Sequence, residues 1–180
     1  MKDRIFIEGQ NIYLRNLKKE DIYENYIHWF DDEQVCRTNS HHRFPNSEQD
    51  MIKYIENTSN SNFQLVLGII NKKNEIHIGN VSLQNINYIN RSAEFAIIIG
   101  EKEYWGKGYG KECGKLIIEH GFSELNLNRV YCGTFSENIG MQKLAEKLGF
   151  NKEGIRCEAE FKNGKYVDII EFGLLKRNWK

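Results

Sequence analysis

Residues 93–100, AEFAIIIG, form a short apolar run rich in β-formers that follows a charged position and stops at glycine, the pattern of a buried strand. From about Tyr109 the period becomes helical. Tyr109, Cys113, Leu116 and Ile117 fall on one stripe, and Lys111, Glu112, Lys115 and Glu119 face water. Between strand and helix lies a polar turn with Gly106, Gly108 and Gly110 on alternate positions.

The same reading extends along the chain. Residues 12–17 alternate as a short strand, and 18–30 predict a helix with Ile22, Tyr26 and Trp29 or Phe30 toward the core. Residues 31–46 are of mixed polarity, with Pro45 near their end, and read as a long shaped connection. Ser47, with Asp50 three positions on, is a near capping box for a second helix carrying Met51, Ile52 and Ile55, which the polar stretch 57–62 stops. Runs 63–70 and 76–83 flank the polar turn 71–74 and, with 93–99, predict three consecutive antiparallel strands. A strand at 129–135 precedes a helix at 138–148 with Met141, Leu144, Ala145 and Leu148 on one face. Because a helix separates the two strands, 129–135 is expected to lie parallel to 93–99. Strands 150–161 and 165–175 close the chain as a hairpin, since Asn163-Gly164 suits a type I′ turn. The sum is one mixed sheet with helices on both faces.

Composition narrows the class. A chain of 180 residues is ordinarily one domain, here 1–180, with room for a sizeable core. Twenty-five basic residues balance 25 acidic ones, so no general pull toward nucleic acid or acidic lipid is implied. Cys36, Cys113, Cys132 and Cys157 form no CxxC pair, no apolar segment reaches membrane-spanning length, and the first ten residues lack a signal-peptide core. A soluble cytoplasmic protein with reduced, mostly buried cysteines is expected. His28, His41 and His42 lack HExxH spacing and convincing partners, so no metal site is expected.

The glycine-rich bend carries the chemistry. A strand-to-helix bend exposes the unpaired N–H groups of the first helical turn, and glycines let a ligand approach the backbone closely. With Lys107 and Lys111 beside it, the bend is suited to an anionic group such as a pyrophosphate, although one glycine would also serve a plain tight connection. Neither GxxxxGK[ST] nor GxGxxG spacing is present, so the ligand is expected to be something other than ATP or a dinucleotide.

The stretch Trp105-Gly106-Lys107-Gly108-Tyr109-Gly110 resembles the acetyl-CoA loop of the GNAT N-acetyltransferase superfamily, (Gln/Arg)-x-x-Gly-x-(Gly/Ala), with tryptophan at the polar first position. A second landmark, Asn138 followed by residues 143–150, KLAEKLGF, stands in the right order, and the resemblance covers nearly the whole chain. The branch it resembles contains ribosomal-protein N-terminal and amino-sugar acetyltransferases. The resemblance implies an α/β, GNAT-type three-layer fold with a mixed central sheet of about seven strands flanked by helices and splayed at the CoA site. It further implies acetyl-CoA as acyl donor, held by Trp105, Gly106, Lys107, Gly108, Tyr109, Gly110, Lys111 and Asn138 and by the main chain of Ile97, Ile98 and Ile99.

Acetyl transfer needs a neutral amine, a polarised thioester carbonyl and stabilisation of the departing thiolate. Glu94 is the candidate base, directly or through water, with a surface salt bridge as its plain alternative. Asn138, at the start of its helix, can both cap backbone groups and, by the resemblance, orient cofactor or acceptor. Where many relatives have an acidic tyrosine this chain has Ala145, and where the ribosomal branch often has serine it has Met141. The thiolate is left to a main-chain donor, water, Tyr131, Cys132 or another loop. His28, Trp29, Asp31 and Arg37, with Glu94, are the candidate acceptor-binding residues. His41, His42, Arg43 and Phe44 read either as a contact for an acidic sugar nucleotide or the CoA phosphate, or as a solvated connection. The expected acceptor is a small-molecule amine, an amino sugar often linked to a nucleotide, with a protein N-terminus or a polyamine as alternatives. A non-catalytic acyl-CoA-binding protein is the reading from another class. No nucleic-acid or membrane partner is expected, and the chain is expected to be a monomer or homodimer.

Overall fold

A computed structural model of the chain describes residues 4–180. One eight-stranded sheet runs through it in the order β1-β2-β3-β4-β5-β6-β8-β7. In chain order the elements are β1 (Ile7–Glu8), β2 (Ile12–Asn16), α1 (Tyr26–Trp29), α2 (Glu33–Cys36), α3 (Glu48–Ser59), β3 (Leu65–Asn71), β4 (His77–Asn87), β5 (Ser92–Ile99), α4 (Tyr109–Ser123), β6 (Arg129–Phe135), α5 (Ile139–Lys147), β7 (Asn151–Lys162) and β8 (Lys165–Leu175). The sheet exceeds the expected strand number through β1, a two-residue strand paired with β2 and too short to give a periodic signal.

β3, β4 and β5 pair antiparallel as their spacing predicts, and β6 is the parallel neighbour of β5. Asn163 and Gly164, at φ 51° and 79°, make the left-handed turn between β7 and β8. The Ser47 hydroxyl caps α3 by accepting from Asp50 N–H at 3.2 Å. α4 buries Cys113, Ile117, Ile118 and Phe122 against the strands, a broader stripe than the four positions read from the sequence. Gly114 and Gly121 lie in the same interface, where a Cβ would come within 2.6 Å of Leu148 and 2.9 Å of Leu83, so the helix sits close to its neighbours.

The expected helix over 18–30 is broken. A 3-10 turn at Lys19–Tyr23 is separated from α1 by Glu24, whose ψ of −136° leaves helical geometry. The reason is tertiary. Asp21 is buried and forked onto Arg15 at 2.6 and 2.8 Å, and it also accepts from Lys18 N–H, which fixes the turn. The predicted apolar positions still face inward: Ile22, Tyr26, Trp29 and Phe30 form a second core with Val35, Met51, Ile55 and Val66 on the sheet face opposite α4.

Trp29 packs under Gly100 at the end of β5, where an added Cβ would fall 1.9 Å from the indole. The contact is with a rigid, buried ring, so Gly100→Ala is expected to destabilise the fold by about 3 kcal/mol, the upper part of the overpacking range. Urea unfolding of the variant measures the loss, and an unchanged midpoint would contradict the packing.

Candidate active site

The parallel ladder between β5 and β6 is short: Ser92 faces Arg129, Ala93 faces Val130 and Glu94 faces Tyr131, and there it ends. Beyond Glu94 the two strands separate. On its other edge β5 stays bonded to β4, and Gly100 N–H donates to the Ile78 carbonyl at 3.0 Å. By antiparallel alternation the even-numbered residues of β5 point their N–H and C=O groups at β4, whereas those of Ile97 and Ile99 point into the gap. The Ile99 carbonyl already accepts from the Trp105 indole at 2.7 Å. Of the three isoleucines expected to offer main-chain groups, Ile97 therefore offers both, Ile99 its N–H, and Ile98 neither. The Ile98 side chain instead packs on the second core.

The Trp105 indole N–H closes the turn after β5, and its ring remains exposed at the start of the glycine run. Gly106 and Gly108 follow in the left-handed region, at φ 72° and 91°, and an added Cβ on either would meet nothing within 4 Å. Gly108 is the residue before α4 and supplies no side-chain cap. The first amide of the helix to find a carbonyl is that of Lys111, which donates to Gly108 at 3.0 Å, so the N–H groups of Gly108, Tyr109 and Gly110 precede the ladder. This open backbone fits a pyrophosphate. Lys107 reaches over the Tyr104 ring, 5.8 Å from its centroid, Lys111 is exposed, and Tyr109 packs edge-on against Tyr104. The Cβ direction of Gly110 points at Leu144 of α5 and Ile97 of β5, so the cradle adjoins the mouth of the strand gap.

On the opposite face a cleft of about 600 Å³ opens along the gap. Glu94 lines it, held by Asn85 Nδ2 at 3.0 Å. Its other walls are Tyr26, Phe30 and residues 38–41, then Asn46, Asp50, Met51 and Tyr54, and on the far side Thr134, Met141, Arg156 and Glu160. Of the acceptor residues expected from the sequence, Glu94 alone lies here. Trp29 is buried and donates from Nε1 to Glu101 at 2.8 Å. α1 turns Tyr26, Trp29 and Phe30 inward, which leaves His28 exposed and away from the cleft, with Asp31 exposed beyond it. Arg37, just past α2, is exposed and outside the lining.

Asn138 caps its helix, as its position leads one to expect. Its Oδ1 accepts from Met141 N–H at 3.0 Å, capping α5, and its Nδ2 donates to the Thr38 carbonyl at 3.3 Å. With both ends of the amide engaged it ties α5 to the cleft roof. Cys132 belongs to the main core, and burial pushes its thiol up to about 12, so it is not the acid. Tyr131 is half-buried beside Glu94, with burial and then the Glu94 charge raising its phenol, and it does not line the cleft. Ala145 is fully buried, while Thr134 of β6, itself buried, is among the residues lining the cleft. Among the described residues no group of histidines, cysteines and carboxylates could hold a metal.

What the sequence did not indicate is how the roof is held. Arg43 donates to Glu160 at 2.7 Å and to the Phe161 carbonyl at 2.9 Å, and Lys162 donates to the His41 carbonyl at 2.5 Å. His42 Nδ1 lies 2.8 Å from the Phe30 carbonyl. Segment 38–43 is thus fastened to the β7–β8 hairpin, more than 100 residues away along the chain. A half-exposed ion pair is worth at most about 1 kcal/mol. Arg43→Ala is therefore expected to raise the acceptor KM about fivefold and leave the acetyl-CoA KM as it was. Steady-state kinetics in both substrates checks this, and an effect on acetyl-CoA alone would place the segment elsewhere.

A splayed parallel pair with an amide cradle at one end and a carboxylate-bearing cleft on the other face defines an acyl-CoA-dependent acyltransferase. The family model of the acetyltransferase (GNAT) domain matches residues 11–151, and the chain belongs to that family. N-acetyltransferase p20 of Bacillus licheniformis is 32% identical over 172 residues, 94% of this chain and 96% of that protein. Spermidine N(1)-acetyltransferase of Escherichia coli K12 is 31% identical over 175 residues, 95% and 89% of the two chains. The crystal structure of spermidine N-acetyltransferase from Vibrio cholerae, in complex with CoA and spermine, superposes with a TM-score of 0.85 at 27% identity over 93% of this chain and 97% of that one. The protein is an acetyl-CoA-dependent N-acetyltransferase. No helix among the described residues is long and apolar enough to cross a membrane.

Proposed function

We propose that the chain acetylates a small, cationic primary amine, with Glu94 as the base that takes its proton. The observation that carries this is the charge of the cleft. Glu160 is matched by Arg43 and Arg156 by Glu171, which leaves Asp50 and Glu94 as lining carboxylates without an arginine or lysine partner among the described residues. Such a wall attracts an ammonium group and offers an arriving diphosphate nothing comparable.

Acetyl-CoA supplies an activated acetyl thioester. The residues of this chain do the rest. The amides of 108–110 hold the pyrophosphate, the groups of Ile97 pair with the pantetheine arm, and Glu94, where the strands part, holds the amine and accepts its proton. With no tyrosine at Ala145, the thiolate is left to main-chain donors, water or the Thr134 hydroxyl.

Two acceptor classes meet this description. A polyamine is supported by what the relatives from E. coli and V. cholerae act on and by the second carboxylate, Asp50. An amino sugar is supported by the uncharged hydrogen-bonding side chains of the lining, Thr38, Asn39, Ser40, Asn80, Ser82 and Gln84. A steady-state screen across spermidine, spermine, free and nucleotide-linked amino sugars and peptides with free N-termini, read by CoA release and product mass, tests the reading. Preference for a peptide, or for a nucleotide-linked sugar over its free form, would count against it. Tight acetyl-CoA binding with no product from any amine would point to a binding protein.

A further inference from the structure

The floor of the acceptor cleft is a polar row on β4. Asn80, Ser82 and Gln84 all line it, opposite Ile98, Ala96 and Glu94 of β5 in the strand register. At the closed end of the row stands His77, a residue the chemistry above does not use. Its ring is 3% exposed and lies edge-on to Trp29, with centroids 4.9 Å apart, and against Tyr26 at 5.5 Å. Nε2 lies 2.8 Å from Asn80 Oδ1, and Nδ1 is buried without a partner. The nearest carboxylate, Asp21, is forked onto Arg15.

We propose that Asn80, its amide orientation fixed by His77, is a specificity-determining donor that reads an oxygen atom, hydroxyl or carbonyl, on the amine acceptor. The inference rests on the acetyltransferase reading and narrows its substrate class. A neutral imidazole has one N–H. Placed on Nε2 it is donated to Asn80 at 2.8 Å; placed on Nδ1 it would bury an N–H without a well-formed hydrogen bond, the Gly79 carbonyl being the backbone acceptor near the ring, the costlier arrangement. The Asn80 oxygen is therefore drawn toward His77, away from the cleft. Its Nδ2 is left to the neighbouring Tyr26 phenol oxygen and to the cleft. Beside it Gln84 Nε2 donates to Ser82 Oγ at 2.8 Å, so the Ser82 proton must be given elsewhere.

At Asn80 the floor thus presents an N–H group to the cleft. An ammonium also carries only N–H and finds no acceptor in the Asn80 amide. A ring hydroxyl, an ether oxygen or an amide carbonyl does. Glu94, across the strand pair from Gln84, takes the amine, and the Asn80 donor sorts acceptors by what else they carry. A site built to bond an oxygen rejects the analogue lacking it, because its own buried groups then go unpaired. By this account the acceptor is an oxygen-bearing amine such as an amino sugar, and a bare polyamine is the poorer substrate.

The test uses the full chain with three probes: glucosamine, its ring analogue cyclohexylamine, and spermidine. The expected result is a kcat/KM preference for glucosamine over both amines that lack oxygen. Asn80→Asp keeps an oxygen for His77 but replaces the donor by an acceptor, and should lower the glucosamine to cyclohexylamine ratio about tenfold, a neutral hydrogen bond near the top of its range. His77→Phe keeps the ring packing and frees the amide to turn. It should lower the same ratio, with no further loss when added to Asn80→Asp, an epistasis that general loosening would not give. Equal falls with glucosamine and cyclohexylamine, or wild-type preference for spermidine, would overturn the proposal. Nitrogen-15 NMR of labelled histidines in the wild-type chain tests the anchor without turnover. A neutral Nε2–H tautomer at His77 supports it, and an Nδ1–H tautomer or an imidazolium overturns it. Failure of the acetyltransferase reading would instead show as absent CoA release with every amine, leaving the NMR result to stand.

Discussion

Gly108→Asp is expected to weaken acetyl-CoA binding at least about 100-fold while the protein stays folded. Two effects add. At φ 91° the backbone is in the left-handed region, which aspartate and asparagine tolerate better than other side chains but less readily than glycine. The new carboxylate would project into space empty of protein atoms, the side from which a pyrophosphate reaches the amides of 108–110. About 2.7 kcal/mol in total gives the stated factor. Gly108→Asn separates the two, since asparagine tolerates this conformation and adds no charge, and it should retain most of the affinity. Calorimetry with acetyl-CoA, beside circular dichroism for the fold, reads both variants. Unchanged affinity in a folded Gly108→Asp protein would remove the cradle from this place.

Glu94→Gln should reduce kcat on the order of 100-fold or more and leave acetyl-CoA affinity nearly as it was, by analogy with positioned general bases. The side chain stands at the last parallel pair of the sheet, where the proposed reaction has it meet the amine and not the stored acyl donor. Glutamine keeps the hydrogen-bonding shape toward Asn85 and removes only the ability to take a proton. A loss concentrated in kcat marks a group acting in the transition state. Equal rates for wild type and variant from low to high pH would assign deprotonation to an ordered water instead.

Every strand of five or more residues, with α3, α4 and α5, could be read from periodicity and caps, because each buries one stripe or face and carries its own stop signal. The glycine cradle and Glu94 were likewise local in the chain. The acceptor residues were not. Trp29 and His28 lie beside Asp31 and Asp32 along the chain, but the fold turns the indole under Gly100 and the imidazole outward. The break after Tyr23 follows from a buried pair with Arg15, and the engagement of Asn138 with Thr38 joins segments 100 residues apart. Asn80 and His77, three positions apart on one strand, gave no pattern separable from an ordinary polar interruption.

The fastening of segment 38–43 to Glu160, Phe161 and Lys162 bears on how this enzyme can diverge. The domain-model match ends at residue 151, where β7 begins, so the hairpin that holds the acceptor roof lies outside the matched model, although full-length relatives align across it. Substitutions in the hairpin can reshape the roof through Arg43 and His41 without reaching the cradle at 106–111 or the carboxylate on β5. Acceptor preference is thereby free to drift under selection while the acyl donor stays fixed.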